Sequence, residues 1–293
     1  MSILDHIKSY WNLHPAGEAE VKSHMSDREA FFSERDRQTE LLYPTLDSDY
    51  RFDRSRGKST LELGCGMGYN AQRLAQNGAR LVVIHLASRA VDITKERFSL
   101  RGLDADFVIA NCEKLPFSSE SFQMVFSSGV IHHTPDTEQA ALEIVRVMMP
   151  KSIATIMVYN RNSRWFWWNI VIVLGSLMFV INWLPEVVRT RLFVFWPNWR
   201  DLVLAPGKRM SFADILRAGT DFGGLRNPLS KVYDRQSVKK LFSGLVDFQY
   251  ITQFNQYKAM VDNPSWITKV VRSILFWMDR RWGWFLIIHG KKP

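Results

Sequence analysis

Cysteine is scarce in this sequence, where Cys65 and Cys112 are the only two among 293 residues. Two cysteines cannot form a disulfide framework, which favours a reducing, cytoplasmic setting. The first 22 residues contain no continuous apolar run, so no secretory signal is predicted. The sequence also lacks internal repeats, low-complexity tracts and the composition of a disordered or collagen-like chain. With 46% hydrophobic residues, the chain can bury a substantial core.

Acidic residues are few in the second half of the chain. Residues 151–293 carry 21 Lys and Arg but only 8 Asp and Glu, whereas residues 1–150 carry 17 and 21. The formal net charge of +9 therefore originates in the second half. Ten of the eleven tryptophans lie there as well. A basic, tryptophan-rich segment is typical of proteins that contact a membrane surface or a nucleic acid.

Between residues 59 and 160, short apolar segments alternate with amphipathic helical patterns. This alternation predicts a parallel, doubly wound α/β sheet within about a hundred residues. The predicted strands are 60–63, 80–86, 106–110, 122–127 and 153–159. The predicted helices are 27–42, 69–77, 88–101 and 134–148.

The first predicted strand runs into a glycine-rich loop that contains Gly64, Gly66 and Gly68. Glycines allow a tight turn and a close approach of a ligand to the backbone, and the following helix offers free N–H groups. Such a loop serves dinucleotides, S-adenosylmethionine or other nucleotides, and it also occurs as a turn without a ligand. The spacing is not the G-x-G-x-x-G of NAD sites, and no P-loop motif is present. No H-x-x-x-H or C-x-x-C spacing occurs, so no metal site is predicted.

The motifs in this region resemble those of class I S-adenosylmethionine-dependent methyltransferases. The resemblance covers residues 57–160 and rests on the segments 61–68, 110–117, 122–133 and 149–150. Segments 10–15 and 227–233 resemble a bacterial branch of that family with poorly defined substrates. The resemblance implies a Rossmann-like, mostly parallel seven-stranded sheet, completed by antiparallel strands at 246–254 and 284–289. It also implies S-adenosyl-L-methionine as the cofactor.

The resemblance implies a cofactor site at the ends of the first four strands. Its members are Glu62, Gly64, Cys65, Gly66, Gly68, His85, Leu86, Asn111, Cys112 and Ser128. In the family, the glycine loop packs against the methionine and ribose of the cofactor. Asn111 stands where an acidic residue accepts from the adenine amino group, and Cys112 is expected to offer its backbone N–H to the adenine ring. The side chains of Cys65 and Cys112 are equally consistent with small buried residues.

Several residues depart from the family pattern. His85 stands where an acidic residue normally accepts hydrogen bonds from both ribose hydroxyls, and a neutral imidazole can accept only one. The lost bond costs about 1–3 kcal/mol if the hydroxyl is left unpaired, so cofactor binding is expected to be weaker by about tenfold or more. Gln123 replaces an aspartate, and Lys151 with Ser152 replaces a Gly-Gly turn, at a cost of about 1 kcal/mol if the backbone is left-handed there. These departures leave open a second function, a repurposed scaffold or an enzyme of another reaction.

Two adjacent histidines are the candidate catalytic residues. His132 and His133 follow the fourth predicted strand, close to the expected position of the transferred methyl group, and either could act as a general base. Both are also explained as a polar helix start. If the N-terminal helix folds over the site, as the resemblance suggests, Tyr10, Trp11 and His14 cap it.

The chain is predicted to divide into four parts. Residues 1–57 form a helical N-terminal cap and residues 58–160 the cofactor-binding core. Residues 161–240 form a hydrophobic helical insert, where the substrate pocket is expected. Residues 241–293 add the last strands and an amphipathic helix.

Two segments of the second half predict contact with a membrane. Residues 165–184 contain no Asp, Glu, Lys or Arg and are long enough to span a bilayer. The late strands complete the same sheet as the early ones and must lie on the same side of the membrane, which argues against a single crossing. The charged segment 185–199 is a poor second span. An interfacial or re-entrant helix is therefore favoured over a crossing. Residues 266–282 predict a basic amphipathic helix. A soluble lid helix and a helix packed on the sheet are the alternatives.

These patterns together favour methyl transfer to a small acceptor that is apolar or lipid-linked. The expected location is the cytoplasm, peripherally at the inner membrane face. A membrane adaptor without chemistry is a third alternative. No nucleic-acid partner is expected, because no recognition-helix or RNA-binding signature is present.

Overall fold

A seven-stranded sheet organises the computed structural model, which describes residues 2–15, 27–188, 209, 211–220, 227–253 and 265–293. The strands are β1 Ser59–Leu63, β2 Arg80–His85, β3 Asp106–Ile109, β4 Phe122–Ser128, β5 Met148–Tyr159, β6 Val246–Gln253 and β7 Phe285–Lys291. Their order in the sheet is β3-β2-β1-β4-β5-β7-β6. Strands β1 to β5 are parallel, and β7 runs antiparallel between β5 and β6. The predicted Rossmann-like, doubly wound sheet is therefore confirmed.

Helices cover both faces of the sheet and the carboxyl ends of its central strands. They are α1 Ile3–Leu13, α2 Arg28–Leu42, α3 Leu46–Tyr50, α4 Tyr69–Gln76, α5 Ser88–Leu100, α6 Thr137–Val147, α7 Trp165–Trp183, α8 Phe212–Thr220, α9 Arg235–Leu241 and α10 Trp266–Trp282. The first ten residues of α7, Trp165–Leu174, are wound as a π-helix. The long hydrophobic helix after the fifth strand is present as predicted.

Alternate residues of the central strands belong to two separate hydrophobic cores, one on each face of the sheet. Leu61 of β1 and Val125 of β4 belong to one core, while Val83 of β2 and Phe126 of β4 belong to the other. This alternation follows from the two-residue period of a β-strand, which points successive side chains to opposite faces. Apolar residues at both phases therefore produce a sheet that is buried on both sides, as parallel sheets require.

Local capping and backbone strain explain where the boundaries differ from the predicted ones. Helix α6 begins at Thr137 rather than residue 134, because the Asp136 carboxylate accepts from the Gln139 N–H at 2.9 Å and caps the helix. Strand β5 begins at Met148, five residues before the predicted start. Lys151 lies within it at φ 63°, the left-handed backbone expected where the family has a Gly-Gly turn.

The cap is tied to the core by polar contacts. The Asn12 side chain of α1 accepts from the Arg89 N–H of α5 at 3.2 Å, and Arg28 of α2 forms an ion pair with Glu96 of α5 at 2.8 Å. These contacts hold α1 and α2 over the carboxyl ends of the central strands. Phe254 at the end of the predicted sixth strand, and residues 189–199 of the weak second span, lie outside the described residues.

Candidate active site

A cavity of about 330 Å³ opens at the carboxyl ends of β1, β2 and β4. The strand order reverses between β1 and β4, which is where doubly wound sheets bind their ligands. The predicted site residues that line the cavity are Gly64, Cys65, Gly66, His85, Leu86, Asn111, Cys112, Ser128 and His133. Glu62, Gly68 and His132 lie outside its lining. Of the three residues expected to cap the site, Trp11 of α1 lines one wall together with Leu4 and Ile7, whereas Tyr10 and His14 are not part of the lining.

The glycine loop has the left-handed backbone that its sequence requires. Gly64, Gly66 and Gly68 have φ values of 77°, 55° and 80°. A Cβ on Gly64 would lie 2.2 Å from Val130 Cγ2, and one on Gly68 would lie 2.7 Å from Thr94 Cγ2. Both the backbone conformation and the packing therefore exclude larger residues at these two positions.

His85 is fixed in one tautomer by its own chain. Its Nδ1 accepts the backbone N–H of Ala87 at 2.9 Å, so the proton of the neutral ring is on Nε2. Burial lowers the pKa of His85 to about 4, so the ring is neutral at physiological pH. The sequence predicts one accepting nitrogen toward the cavity. In the structure that nitrogen is already used, and Nε2–H is a donor that makes no hydrogen bond to any described residue.

The segment after β3 is ordered by an Asx turn. The Asn111 side-chain oxygen accepts the Glu113 N–H at 3.0 Å, and it retains a second lone pair for a ligand. Burial raises the pKa of both Cys112 and Cys65 to about 12, so both thiols stay protonated and unreactive. This agrees with their interpretation as small buried residues beside a ligand.

Two buried ionisable side chains near the loop have polar atoms that lack hydrogen-bond partners among the described residues. Neither carboxyl oxygen of Glu62 has a hydrogen-bond partner, and burial raises the pKa of this residue to about 8. Arg97 of α5 is fully buried and lines the cavity, and its Nε and Nη2 are unpartnered while Nη1 contacts Asp36 at 2.7 Å. Such groups are rare in folded proteins without a functional reason. Arg97 was missed from the sequence, although it follows Ala90 and Ile93 on the buried face of α5.

The two candidate catalytic histidines have different environments. Both belong to a short 3₁₀ turn, Ile131–His133. His133 lines the cavity, and its Nδ1 lies 2.7 Å from the Leu229 carbonyl, which can only accept. In the tautomer that donates to this carbonyl, Nε2 is an unprotonated acceptor. His132 is fully buried, neither of its nitrogens has a partner among the described residues, and burial holds its pKa well below the ordinary value. The geometry favours His133 as the base.

A hydroxyl pair completes the polar lining of the cavity. The Tyr50 hydroxyl and the Ser128 hydroxyl lie 2.7 Å apart across the cap and the end of β4. Burial raises the pKa of Tyr50, so its hydroxyl stays protonated. Tyr50 was not predicted as a site residue, because its contact with β4 joins residues 78 positions apart.

Fold, loop and cavity define an α/β protein that binds an adenosyl-type cofactor at its topological switch point. Residues 61–156 match the family model of a methyltransferase domain. The chain carries a class I S-adenosylmethionine-dependent methyltransferase domain, and S-adenosylmethionine is the cofactor of that family.

Two known methyltransferases are similar to this chain in sequence, and a solved structure is similar to it in fold. The ubiquinone biosynthesis O-methyltransferase of Bartonella bacilliformis is 22% identical over 179 residues, which is 61% of this chain and 68% of the relative. The methyltransferase GfsG of Streptomyces halstedii is 31% identical over 118 residues, 39% of this chain and 40% of the relative. The crystal structure of the [4+2]-cyclase SpnF has a TM-score of 0.51 at 17% identity and covers 99% of this chain and 94% of that one.

Arg97 fits the methionine end of S-adenosylmethionine. That end carries a carboxylate, which suits the two unpartnered guanidinium nitrogens of Arg97 in the cavity lining. Glu62 lies outside the lining, and its raised pKa keeps the carboxyl protonated at neutral pH, so it supplies no negative charge for the ammonium group. The fit in charge therefore rests on Arg97.

Proposed function

We propose that the protein transfers a methyl group from S-adenosylmethionine to a small apolar or lipid-linked acceptor at a membrane surface. The observation that carries the first half is the cavity at the switch point, which is lined by His133 and by Arg97 with two unpartnered nitrogens. The observation that carries the second half is an exposed apolar face on α7 and α10.

Bound S-adenosylmethionine supplies an electrophilic methyl group on a positively charged sulfur. The chain has to exclude water, hold an acceptor in line and take up its proton. Trp11 and Ile7 of the cap cover the cavity with apolar surface. His133 can hold the proton of a hydroxyl acceptor at Nε2, because its Nδ1–H is committed to the Leu229 carbonyl.

Helix α7 packs with one face and leaves the other exposed. Phe166, Ile170 and Met178 are buried with α8. The outward face consists of large apolar side chains that are 43–70% exposed: Trp167, Trp168, Ile172, Val173, Leu177, Phe179, Val180 and Trp183. Only 22% of this apolar helix is buried. Large exposed apolar side chains grouped on one helix face favour contact with a membrane.

Helix α10 adds an apolar stripe with positive charge beside it. Trp266, Val270, Ile274 and Trp277 follow one another at helical spacing and are 52–76% exposed. Lys269, Arg280 and Arg281 lie exposed along the same helix. An amphipathic basic helix of this kind favours an anionic lipid surface. The ends of α7 and α10 are joined, because Arg164 contacts Asp279 at 3.3 Å.

An orientation in the plane of the membrane suits α7 better than a crossing. Strands that precede α7 and strands that follow it share one sheet, so the chain must return to the side on which α7 begins. A helix with one packed face and one apolar face lies naturally at a lipid interface.

Flotation with vesicles tests the membrane half of the proposal. The protein is expected to float with vesicles containing 30% anionic lipid and less with zwitterionic vesicles. Exchanging Trp168 and Val180 for Glu, or Val270 and Ile274 for Glu, should leave the protein in solution. Leu142→Glu is the matched control, because Leu142 is 61% exposed on α6, outside this face. Equal flotation of all variants would contradict the proposal.

Methyl transfer is tested with methyl-labelled cofactor and a cell extract separated into lipid and aqueous fractions. Label is expected in the lipid fraction, and His133→Gln should reduce it by about 10²-fold or more. Label only in the aqueous fraction would refute the lipid-linked acceptor while keeping the methyltransferase.

A second candidate is a protein of this fold that does not transfer methyl groups. The donor character of His85 supports it, and the SpnF structure, described as a [4+2]-cyclase, belongs to a protein of the same fold. Cofactor binding without any labelled product in either fraction would favour this candidate.

A further inference from the structure

We propose that His85 binds the ribose of the cofactor as a hydrogen-bond donor through Nε2–H, in place of the acceptor that this position normally provides. The proposal rests on the proposed binding of S-adenosylmethionine in the cavity. In this role His85 determines specificity, because its Nε2–H donates a hydrogen bond to a ribose hydroxyl oxygen of the cofactor.

The position of His85 defines its contact. His85 is the last residue of β2. The residue before it, Ile84, pairs with Leu63, which is the last residue of β1 before the glycine loop. His85 therefore lies beside that loop. In doubly wound folds the side chain at this strand end contacts the ribose hydroxyls. His85 lines the cavity, so its ring reaches the ligand space.

The direction of the hydrogen bond follows from the backbone. Ala87 N–H points at Nδ1 from 2.9 Å, and a backbone amide can only donate. Nδ1 must therefore be the unprotonated nitrogen, and Nε2 carries the proton. A ribose hydroxyl can accept as well as donate, so Nε2–H has a suitable partner there. The depressed pKa of His85 agrees with a neutral ring.

The direct contact between His85 and the ribose is tested by calorimetry, with two ligands measured on both wild type and a His85 variant. The probes are S-adenosylhomocysteine and its 2′,3′-dideoxy derivative, which lacks both ribose hydroxyls. His85→Phe should weaken S-adenosylhomocysteine about 3- to 10-fold, the range of one neutral hydrogen bond, and should change the affinity of the dideoxy derivative by less than twofold. A coupling of this kind isolates one contact from structural effects of the substitution.

Two further variants control for a merely structural role. In His85→Asn the amide oxygen can accept from Ala87 and the amide nitrogen can donate, so affinity should stay within about threefold of wild type. His6→Phe, on the exposed face of α1, should change neither ligand. Equal loss for both ligands in His85→Phe would overturn the proposal, because His85 would then act only by ordering the loop.

The tautomer is measured in the protein itself by long-range ¹H–¹⁵N spectra of ¹⁵N-histidine-labelled protein at pH 7.5. The His85 signal is identified by its loss in the variants. The proposal expects the Nε2–H tautomer, and slower exchange of that proton with water once S-adenosylhomocysteine is bound. An Nδ1–H tautomer, or an unchanged Nε2–H exchange rate in the complex, would overturn it. If S-adenosylhomocysteine does not bind at millimolar concentration, the proposed function is refuted together with the role of His85. If it binds but the His85 results differ from those expected, only the role of His85 is refuted.

Discussion

Replacing His132 by phenylalanine tests the account of the buried histidine pair. His132 is fully buried, its ring lies 4.0 Å from the ring of Tyr159, and neither nitrogen has a partner among the described residues. A phenyl ring has a similar shape and no polar atoms to desolvate. At pH 7.5 the variant should therefore be as stable as wild type, or more stable by up to about 2 kcal/mol.

The effect should grow in acid. Burial holds the pKa of His132 in the folded protein well below 6.5, whereas the unfolded chain takes up a proton near pH 6.5. The unfolded state thus binds more protons below pH 6.5, and wild-type stability falls as the pH falls. Between pH 7.5 and 5.0 wild type therefore loses stability that the variant keeps, and the uptake of one proton by the unfolded chain limits this difference to about 2 kcal/mol.

Urea unfolding of wild type and His132→Phe at both pH values measures the difference. Contributions of His85, His289 and Glu62 are common to both proteins and cancel in the comparison. His6→Phe, at an exposed position, should behave as wild type at both pH values. A variant that loses more than about 1 kcal/mol at pH 7.5, or a difference that does not change with pH, would refute the reasoning.

Three further predictions follow from single contacts. Arg97→Gln should weaken S-adenosylhomocysteine at least tenfold in calorimetry but leave 5′-methylthioadenosine, which lacks the amino-acid end, within twofold; equal losses would contradict the role of Arg97. Lys151→Gly should raise the free energy of unfolding by about 1 kcal/mol, because φ is 63° there, and an unchanged thermal midpoint would argue against the strain. Arg280→Gln should destabilise the protein by about 3 kcal/mol in urea, since Asp49 is 2% exposed and contacts Arg280 at 2.7 Å, whereas Lys269→Gln should not.

The sequence was sufficient to predict the sheet and the glycine loop because both depend on local patterns. Alternating strands and helices determine a parallel sheet, and three glycines at this spacing determine a left-handed loop. The positions of His85 and His133 at the cavity also follow from strand ends, since the carboxyl ends of parallel strands meet at one edge.

Long-range polar contacts could not be predicted in the same way. Arg280 and Asp49 are 231 residues apart in the chain, and His133 and Leu229 are 96 apart. Neither pair has a sequence pattern that joins its members. The donor role of His85 depends on an amide two residues away, and it was missed because the ring was assumed to present its accepting nitrogen to the ligand. Arg97 was missed because a charged residue on a buried helix face was not recognised as a site residue.

Calorimetric titration of the purified protein with S-adenosylmethionine tests the central claim most directly, that the cavity is a working cofactor site despite the change at His85. The account predicts one binding site per chain with a submillimolar dissociation constant, and weaker binding in Arg97→Gln. No detectable heat of binding at millimolar cofactor would contradict it.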